Sequence, residues 1–200
     1  MHKIDPVVRD KILKFVSRET LDKLIAFESL FKKWQSRINL TSKSTMENFW
    51  KRHVLDSLQV LPIVKGGLVL DVGTGGGFPG LILGISGEVD VTCVECDLRK
   101  AAFLREAARD LSVYTSILCD REEFLSCEGF DFVTSRALSK VRYLLEILCR
   151  RGKQGVFLKG AGVQKEIREA EDFFAFKYEL LPSVSSEDGC VLVVSECQQK

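Results

Sequence analysis

A glycine-rich turn is the part of this sequence whose residue types point most directly to chemistry. The apolar run Leu68–Val72 is typical of a buried strand, and Gly73-Thr74-Gly75-Gly76-Gly77 and Phe78-Pro79-Gly80 follow it. Glycine has no Cβ atom, so backbone N–H groups and the start of a following helix can approach a ligand closely. Parallel sheets bind nucleotide-type ligands at such strand ends. The pattern therefore predicts a cofactor site that includes Gly73 and Gly75.

The glycines alone fit two classes of cofactor. Gly75-x-Gly77-x-x-Gly80 satisfies the dinucleotide fingerprint as well as the loop of S-adenosylmethionine-dependent methyltransferases. Asp71 lies inside the strand, where dinucleotide folds usually have an apolar residue, and a buried carboxylate there must be hydrogen-bonded, for example to order the loop. Glu95 ends the next predicted strand and could accept both ribose hydroxyls of either cofactor. These features favour S-adenosylmethionine over a dinucleotide, with a purely structural turn as the third interpretation.

The elements that would position the loop alternate in the manner of a parallel sheet with helices on both faces. The predicted strands are 68–72, 91–95, 114–118, 130–134 and 155–159, and the helices between them are 79–85, 98–111, 139–150 and 163–170. Residues 177–181 and 190–195 read as two further strands joined by a turn-rich segment, which indicates an antiparallel hairpin. We expect an α/β, Rossmann-like class I methyltransferase fold, with a mainly parallel seven-stranded sheet and a C-terminal antiparallel hairpin.

Three helical patterns precede the sheet, at 6–18, 20–37 and 45–63, and Thr20 is a candidate cap for the second. We expect residues 1–65 to form an N-terminal helical extension and residues 66–200 to form the cofactor-binding core as a single compact unit. Trp34, Phe49 and Trp50 could stack on bases, but their helical spacing favours a place in the core.

Charge is distributed unevenly along the chain. Residues 1–55 contain twelve Lys and Arg against six Asp and Glu, a net +6, whereas the remainder has a net −5. The basic end suggests a surface that faces a polyanion such as RNA, although lysines and arginines that merely solvate helices would give the same count.

Composition excludes several other classes of protein. With 200 residues, 46% of them apolar, the chain fits one globular domain, and it has no membrane-spanning run or secretory signal, so we expect a cytoplasmic protein. The seven cysteines lie scattered in apolar segments, which indicates reduced and mostly buried thiols. Cys93-x-x-Cys96 has no second pair at ligand spacing, so we expect no metal site.

Five separated motifs give the sequence a family resemblance. They are Asn39-Leu40-Thr41, Arg52-His53-Val54-Leu55-Asp56-Ser57, the segment from Asp71 to Gly80, Ser135-Arg136-Ala137 and Leu158-Lys159-Gly160. In this order they resemble the bacterial glucose-inhibited division protein B family, whose members methylate the N7 of a guanine in 16S rRNA. The resemblance implies S-adenosylmethionine as cofactor, with contacts at Gly73, Phe78, Glu122, Glu123 and Arg136. It implies 16S rRNA or the small ribosomal subunit as partner, and we expect a monomer.

Guanine N7 has a lone pair and no proton, so its methylation requires alignment and no general base. We therefore assign no catalytic residue and expect Arg136 and His53 to act by positioning. Arg136 follows the fourth strand and could bind the methionine carboxylate or guanine O6; the alternative is a solvated surface arginine.

A helix over 45–63 would place His53, Asp56 and Ser57 on one face near the methyl-transfer pocket. The alternative for His53 is a contact with Asp56 that fixes the helix to the sheet. We expect Arg52, His53, Asp56 and Lys159 to contact RNA, although Lys159 could equally serve solubility. A small-molecule or protein methyltransferase and a non-catalytic nucleotide-binding module remain as alternative functions.

Overall fold

The computed structural model describes residues 4–121 and 126–200. Helices precede the sheet: α1 (Pro6–Ile12), α2 (Arg18–Gln35), α3 (Lys43–Met46), a π-helical turn (Trp50–Leu55), α4 (Asp56–Leu58) and α5 (Leu61–Val64). Strands and helices then alternate: β1 (Leu68–Val72), α6 (Gly80–Ser86), β2 (Asp90–Val94), α7 (Leu98–Asp110), β3 (Thr115–Leu118), β4 (Phe130–Arg136), α8 (Val141–Arg151), β5 (Gly152–Lys159), α9 (Val163–Glu171), β6 (Phe174–Pro182) and β7 (Cys190–Gln199).

The N-terminal helices differ from the sequence prediction in two respects. Ser17, and not Thr20, caps α2, because the Ser17 hydroxyl accepts a hydrogen bond from the backbone N–H of Thr20 at 3.1 Å. The single helix predicted over 45–63 is wrong, since this segment contains α3, the π-helical turn, α4 and α5. Pro62 explains the last break, because proline has no N–H to donate to the Leu58 carbonyl one turn earlier.

The seven strands form one sheet in the order β3-β2-β1-β4-β5-β7-β6. β7 runs antiparallel to both β5 and β6, while the pairings among β1 to β5 are all parallel. The predicted mainly parallel sheet with a C-terminal antiparallel hairpin is confirmed. β1 lies in the middle, where Asp71 pairs with Cys93 of β2 and Thr134 of β4, so the chain after β1 emerges at the centre of the sheet edge.

The N-terminal helices cover one face of the sheet together with α6 and α7, and α8 and α9 cover the other. Phe27 and Phe31 of α2 lie against Phe103 of α7, with ring centroids 6.1 Å and 5.7 Å apart. Phe49 and Trp50 are 2% and 7% exposed, which confirms their place in the core. Trp34 packs against the same core and donates its indole N–H to Glu106.

Within residues 4–121 and 126–200, no helix is long and apolar enough to cross a membrane. The same residues contain no group of three or more His, Cys, Asp or Glu side chains arranged to hold a metal ion. The cysteines are free thiols, but the expectation that most are buried is wrong: Cys93 is buried, whereas Cys96 and Cys149 are exposed. Cys93 lies in β2 with its thiol close to Gly80 of α6, whereas Cys96, three residues later, follows the strand and is exposed.

Candidate cofactor and acceptor site

The glycine loop turns sharply at the end of β1. Gly73, Gly75 and Gly77 have φ angles of 70°, 58° and 98°, in the left-handed region that glycine adopts without strain. The backbone N–H of Gly73 donates to the Val94 carbonyl of β2 at 3.0 Å. A Cβ atom on Gly73 would lie 2.6 Å from the end of the Leu138 side chain, which is 39% exposed and free to shift, so the positive φ angle is what requires glycine there.

Asp71 ties the loop to the sheet. Its side chain is fully buried and accepts hydrogen bonds from the Gly80 backbone N–H and the Thr134 hydroxyl, both at 2.9 Å. Burial raises the pKa of Asp71 to about 6, while these hydrogen bonds and the Arg136 charge act in the opposite direction. The prediction of a hydrogen-bonded carboxylate that orders the loop is confirmed.

Glu95 lies on the other side of the loop. One carboxylate oxygen accepts from the Gly75 backbone N–H at 2.8 Å and the other from the Asp97 backbone N–H at 2.9 Å. A carboxylate oxygen can accept more than one hydrogen bond, so Glu95 retains acceptor capacity for ribose hydroxyls. Its role in cofactor binding stays a prediction.

A first cleft of about 490 Å³, termed here the cofactor cleft, opens at the carboxyl ends of β1, β2 and β4. Its lining residues are Val72, Gly73, Gly75, Val94, Glu95, Cys96, Lys100, Asp120, Arg121, Arg136, Ala137, Leu138 and Tyr143. Of the predicted cofactor residues, Gly73, Gly75, Glu95 and Arg136 lie together in this cleft. Glu122 and Glu123 lie outside the described residues.

Arg136, at the end of β4, holds the N-terminal segment to the sheet. Its guanidinium donates to the Arg52 carbonyl at 2.6 Å and to His53 Nδ1 at 2.7 Å, and lies 3.4 Å from the Asp56 carboxylate. It also covers the Phe78 ring at 5.0 Å from the ring centroid. Because its side chain is only 19% exposed, the interpretation as a solvated surface arginine is wrong.

His53 is neutral at physiological pH. It is 3% exposed, and burial followed by the charges of Arg136 and Arg52 lowers its pKa to about 3. Since Nδ1 accepts from Arg136, the proton sits on Nε2, which lies 3.3 Å from the Thr41 hydroxyl. The imidazole stacks on Phe78 with a centroid distance of 4.5 Å.

Residues of the predicted helix face separate in the structure. His53 and Asp56 do not hydrogen-bond each other directly, and each contacts Arg136 instead. Ser57 faces the interior, because its hydroxyl donates to the His53 carbonyl at 2.7 Å and its side chain is fully buried. The predicted grouping is therefore correct for His53 and Asp56 and wrong for Ser57.

A second cleft of about 730 Å³, termed here the acceptor cleft, lies beside the first. Its lining residues are Thr41, Ser42, Thr45, Arg52, His53, Asp56, Arg136, Ala137, Leu158, Lys159, Gly160, Ala161, Gly162, Glu166, Ser185, Ser186, Asp188 and Gly189. All four predicted RNA-contacting residues are among them. Arg136 and Ala137 line both clefts, so they form the wall between the two.

The family model for GidB, described as rRNA small subunit methyltransferase G, matches residues 20–189. The chain belongs to this family. A protein named ribosomal RNA small subunit methyltransferase G from Paramagnetospirillum magneticum is 40% identical over 186 residues, covering 90% of this chain and 91% of the relative. Its namesake from Rhodospirillum rubrum is 41% identical over 186 residues, covering 90% and 92%.

Solved structures support the methyltransferase fold. A SAM-dependent methyltransferase from Aquifex aeolicus has a TM-score of 0.56 at 19% identity, covering 84% of this chain and 96% of that one. A mutant of MtNAS in complex with S-adenosylmethionine has a TM-score of 0.60 at 16% identity, covering 88% and 75%. The architecture is that of the Rossmann-like class I methyltransferases, and S-adenosylmethionine is the cofactor of this group.

Two predicted residues of this GidB-family chain occupy unexpected positions. Phe78 does not line the cofactor cleft; its ring is 4% exposed and lies beneath His53 and Arg136, so its contact with the cofactor stays a prediction. Lys159 pairs with Glu166 at 2.6 Å and donates to the Ser139 carbonyl at 2.9 Å. Its side chain is 9% exposed, so Lys159 connects β5 to α9 and is not a purely solvating residue.

Sequence reasoning missed Lys100, Leu138 and Tyr143 in the cofactor cleft. Lys100 lies in the first turn of α7, directly after the β2 edge that carries Glu95, and the other two follow β4. Residues that follow parallel strands meet at one edge of the sheet, so their place after a strand end was the signal that could have identified them.

Proposed function

We propose that this chain transfers the methyl group of S-adenosylmethionine to the N7 of a guanine in 16S rRNA. The observation that carries the proposal is the shared wall of Arg136 and Ala137: a methyl donor in the cofactor cleft and a base in the acceptor cleft would lie on either side of it. S-adenosylmethionine supplies an electrophilic methyl group on a positively charged sulfur. Membership of the GidB family supports rRNA as the acceptor.

The residues of the cofactor cleft suit this cofactor. Gly73 and Gly75 leave room for a ligand beside the loop, and Glu95 presents a carboxylate for the ribose hydroxyls. Arg136 has five N–H donors, and its contacts with Arg52, His53 and Asp56 do not use all of them. A remaining donor can bind the methionine carboxylate or guanine O6.

The protonation state of His53 favours N7 over acceptors that must lose a proton. An amine nucleophile requires a base, but a histidine whose pKa is lowered to about 3 is a very weak one. Asp56 is engaged by Arg136, Gln59 and the Ser185 hydroxyl. Guanine N7 needs no proton removed, and alignment alone can supply roughly 7–11 kcal/mol of a barrier.

The guanine must leave any base stack before N7 can reach the cofactor. This step costs a few kcal/mol and is least costly for an unpaired nucleotide, so we propose a loop or junction in the small ribosomal subunit as target. Arg52 is exposed at the acceptor cleft and available for a phosphate contact. Because one chain supplies the lining of both clefts, we propose that it acts as a monomer, in the cytoplasm where the subunit is assembled.

The test is methyl transfer from labelled S-adenosylmethionine to naked 16S rRNA, precursor rRNA and small ribosomal subunits in parallel. Nucleosides released from the product should contain 7-methylguanosine as the labelled species. Label on another atom of guanine, on a protein or on a small molecule would contradict the proposal. Cofactor binding by calorimetry without turnover on any RNA would favour a non-catalytic module.

A further inference from the structure

A third depression, of about 440 Å³, continues from the acceptor cleft. We call it the lysine furrow; it is lined by Lys11, Lys14, Phe15, Lys51 and residues 183–187 of the turn between β6 and β7. Ser185 and Ser186 line both the furrow and the acceptor cleft. An extended ligand that entered the acceptor cleft could therefore continue past these serines into the furrow.

The lysines of the furrow form no salt bridge with the described residues. Lys11, Lys14 and Lys51 are exposed, and within residues 4–121 and 126–200 none of them has a carboxylate within 4.0 Å. Among the described residues, Glu187 is the one acidic residue that lines the furrow. Lysines at the opposite edge of the sheet differ, because their ammonium groups are paired: Lys65 with Glu88 at 2.8 Å, Lys153 with Asp131 at 2.8 Å and Lys177 with Glu196 at 2.7 Å.

The wall between the furrow and the acceptor cleft is held in place by hydrogen bonds. The Ser185 hydroxyl donates to the Asp56 carboxylate, and the Val184 backbone N–H donates to the Gln59 side chain at 3.0 Å. Lys11 reaches the Val184 carbonyl at 3.4 Å from the other side. The same Asp56 contacts Arg136, so the turn that shapes the furrow is connected to the residue between the two clefts.

We propose that the lysine furrow binds the phosphate backbone of the RNA strand beside the acceptor nucleotide, an inference that rests on the proposed function. Three unpaired ammonium groups face one carboxylate, which suits a polyanion. The apolar side chains among the described lining residues of the furrow are Phe15, which is half-buried, and Val184, which is 42% exposed, and this is little for a protein partner. The direct connection to the acceptor cleft favours the same strand that presents the guanine.

The test compares the wild-type protein with the triple variant Lys11→Gln, Lys14→Gln, Lys51→Gln. We expect its KM for small ribosomal subunits to rise roughly tenfold or more, because each lysine lost removes a phosphate contact and its counterion release. The slope of log affinity against log salt should become shallower by about two, at roughly 0.7 per phosphate for a single strand. Cofactor affinity by calorimetry and kcat should stay unchanged. Glu187→Gln should lower KM, since it removes the opposing charge.

The matched control is the triple variant Lys65→Gln, Lys153→Gln, Lys177→Gln, which removes the same charge at the opposite edge. Its KM and salt slope should equal those of the wild type; an equal effect of both triple variants would overturn the furrow proposal. If the KM of the furrow variant rises by a factor that does not depend on salt, the furrow contacts a protein instead of phosphates, and the furrow proposal is also overturned. If the wild-type protein methylates no RNA, the proposed function fails; if it does and the furrow variant matches it, only the furrow proposal fails.

Discussion

Asp71 is a fully buried acid whose carboxylate accepts one hydrogen bond from a backbone N–H and one from a side-chain hydroxyl. An asparagine can keep both contacts, with its oxygen accepting from Gly80 and its amide donating to the Thr134 hydroxyl. We expect Asp71→Asn to change the free energy of unfolding by less than about 1 kcal/mol, since it also removes a buried charge, and Asp71→Ala to lower it by roughly 2–4 kcal/mol. Urea unfolding of both variants is the measurement, and similar losses for the two would contradict this account of the loop.

His53 predicts a dependence of stability on pH. Its pKa is about 3 in the folded protein against 6.5 unfolded, so between these values the unfolded chain binds the extra proton and stability falls as pH falls. Asp71, raised to about 6 from 3.8, acts in the opposite direction between those two values. From pH 7 to 5 we expect the wild type to lose about 2 kcal/mol relative to His53→Gln.

Unfolding free energies of the two proteins across that range measure the difference, and a constant gap would show that His53 titrates near its ordinary pKa.

At this same scale, sequence reasoning found Arg136, His53 and Asp56 as neighbours of one site. It did not predict that the Arg136 guanidinium contacts both His53 and Asp56, because Arg136 lies in a distant part of the chain.

At the scale of elements, α6 packs closely on β1 through Gly80. A Cβ atom there would lie 2.6 Å from an Asp71 carboxylate oxygen and 2.7 Å from Cys93 Sγ. We expect Gly80→Ala to cost roughly 2–3 kcal/mol of stability by forcing the helix away from the sheet, and to weaken cofactor binding with it. Calorimetry and urea unfolding would measure the two effects.

The control for this packing effect is Gly160→Ala, where a Cβ atom would meet nothing within 4 Å. Its free energy of unfolding should stay within about 0.5 kcal/mol of the wild type. Comparable losses at the two glycines would indicate a general cost of replacing glycine by alanine, and would remove the helix–sheet contact as the cause.

Strands were predicted well at this scale because a buried parallel strand is a short apolar run bounded by turn residues. The segment 45–63 was not, since its apolar spacing is compatible with one helix while Pro62 and the π-helical turn divide it. The π-helical turn contains both Arg52 and His53, so the departure from regular helix occurs where two site residues are presented to Arg136.

At the scale of the whole molecule, residues 1–65 and 66–200 both contribute side chains to one hydrophobic core. Phe31 of α2 lies 5.5 Å from Phe78 and 5.7 Å from Phe103, measured between ring centroids. We expect one cooperative unfolding transition and a loss of roughly 3–5 kcal/mol in Phe31→Ala. Both tryptophans, Trp34 and Trp50, lie in the N-terminal part, so fluorescence reports on it while circular dichroism reports on the whole chain.

Coincident fluorescence and circular dichroism transitions would support one folding unit; an earlier fluorescence transition would show that the N-terminal helices unfold independently. The sequence indicated an extension because its net charge changes after residue 55 and its periodicity changes near residue 66. Which face of the sheet the helices cover is decided by side-chain packing between distant segments, and no local pattern contains that information.

The shared wall at Arg136 has a thermodynamic consequence. Its guanidinium belongs to the lining of both clefts and holds the segment that carries Arg52 and His53. If one ligand changes the affinity for the other by redirecting this side chain, the second ligand must change the affinity for the first by the same factor. Donor and RNA are thus expected to bind as linked equilibria, each reporting on the occupancy of the other through a single arginine.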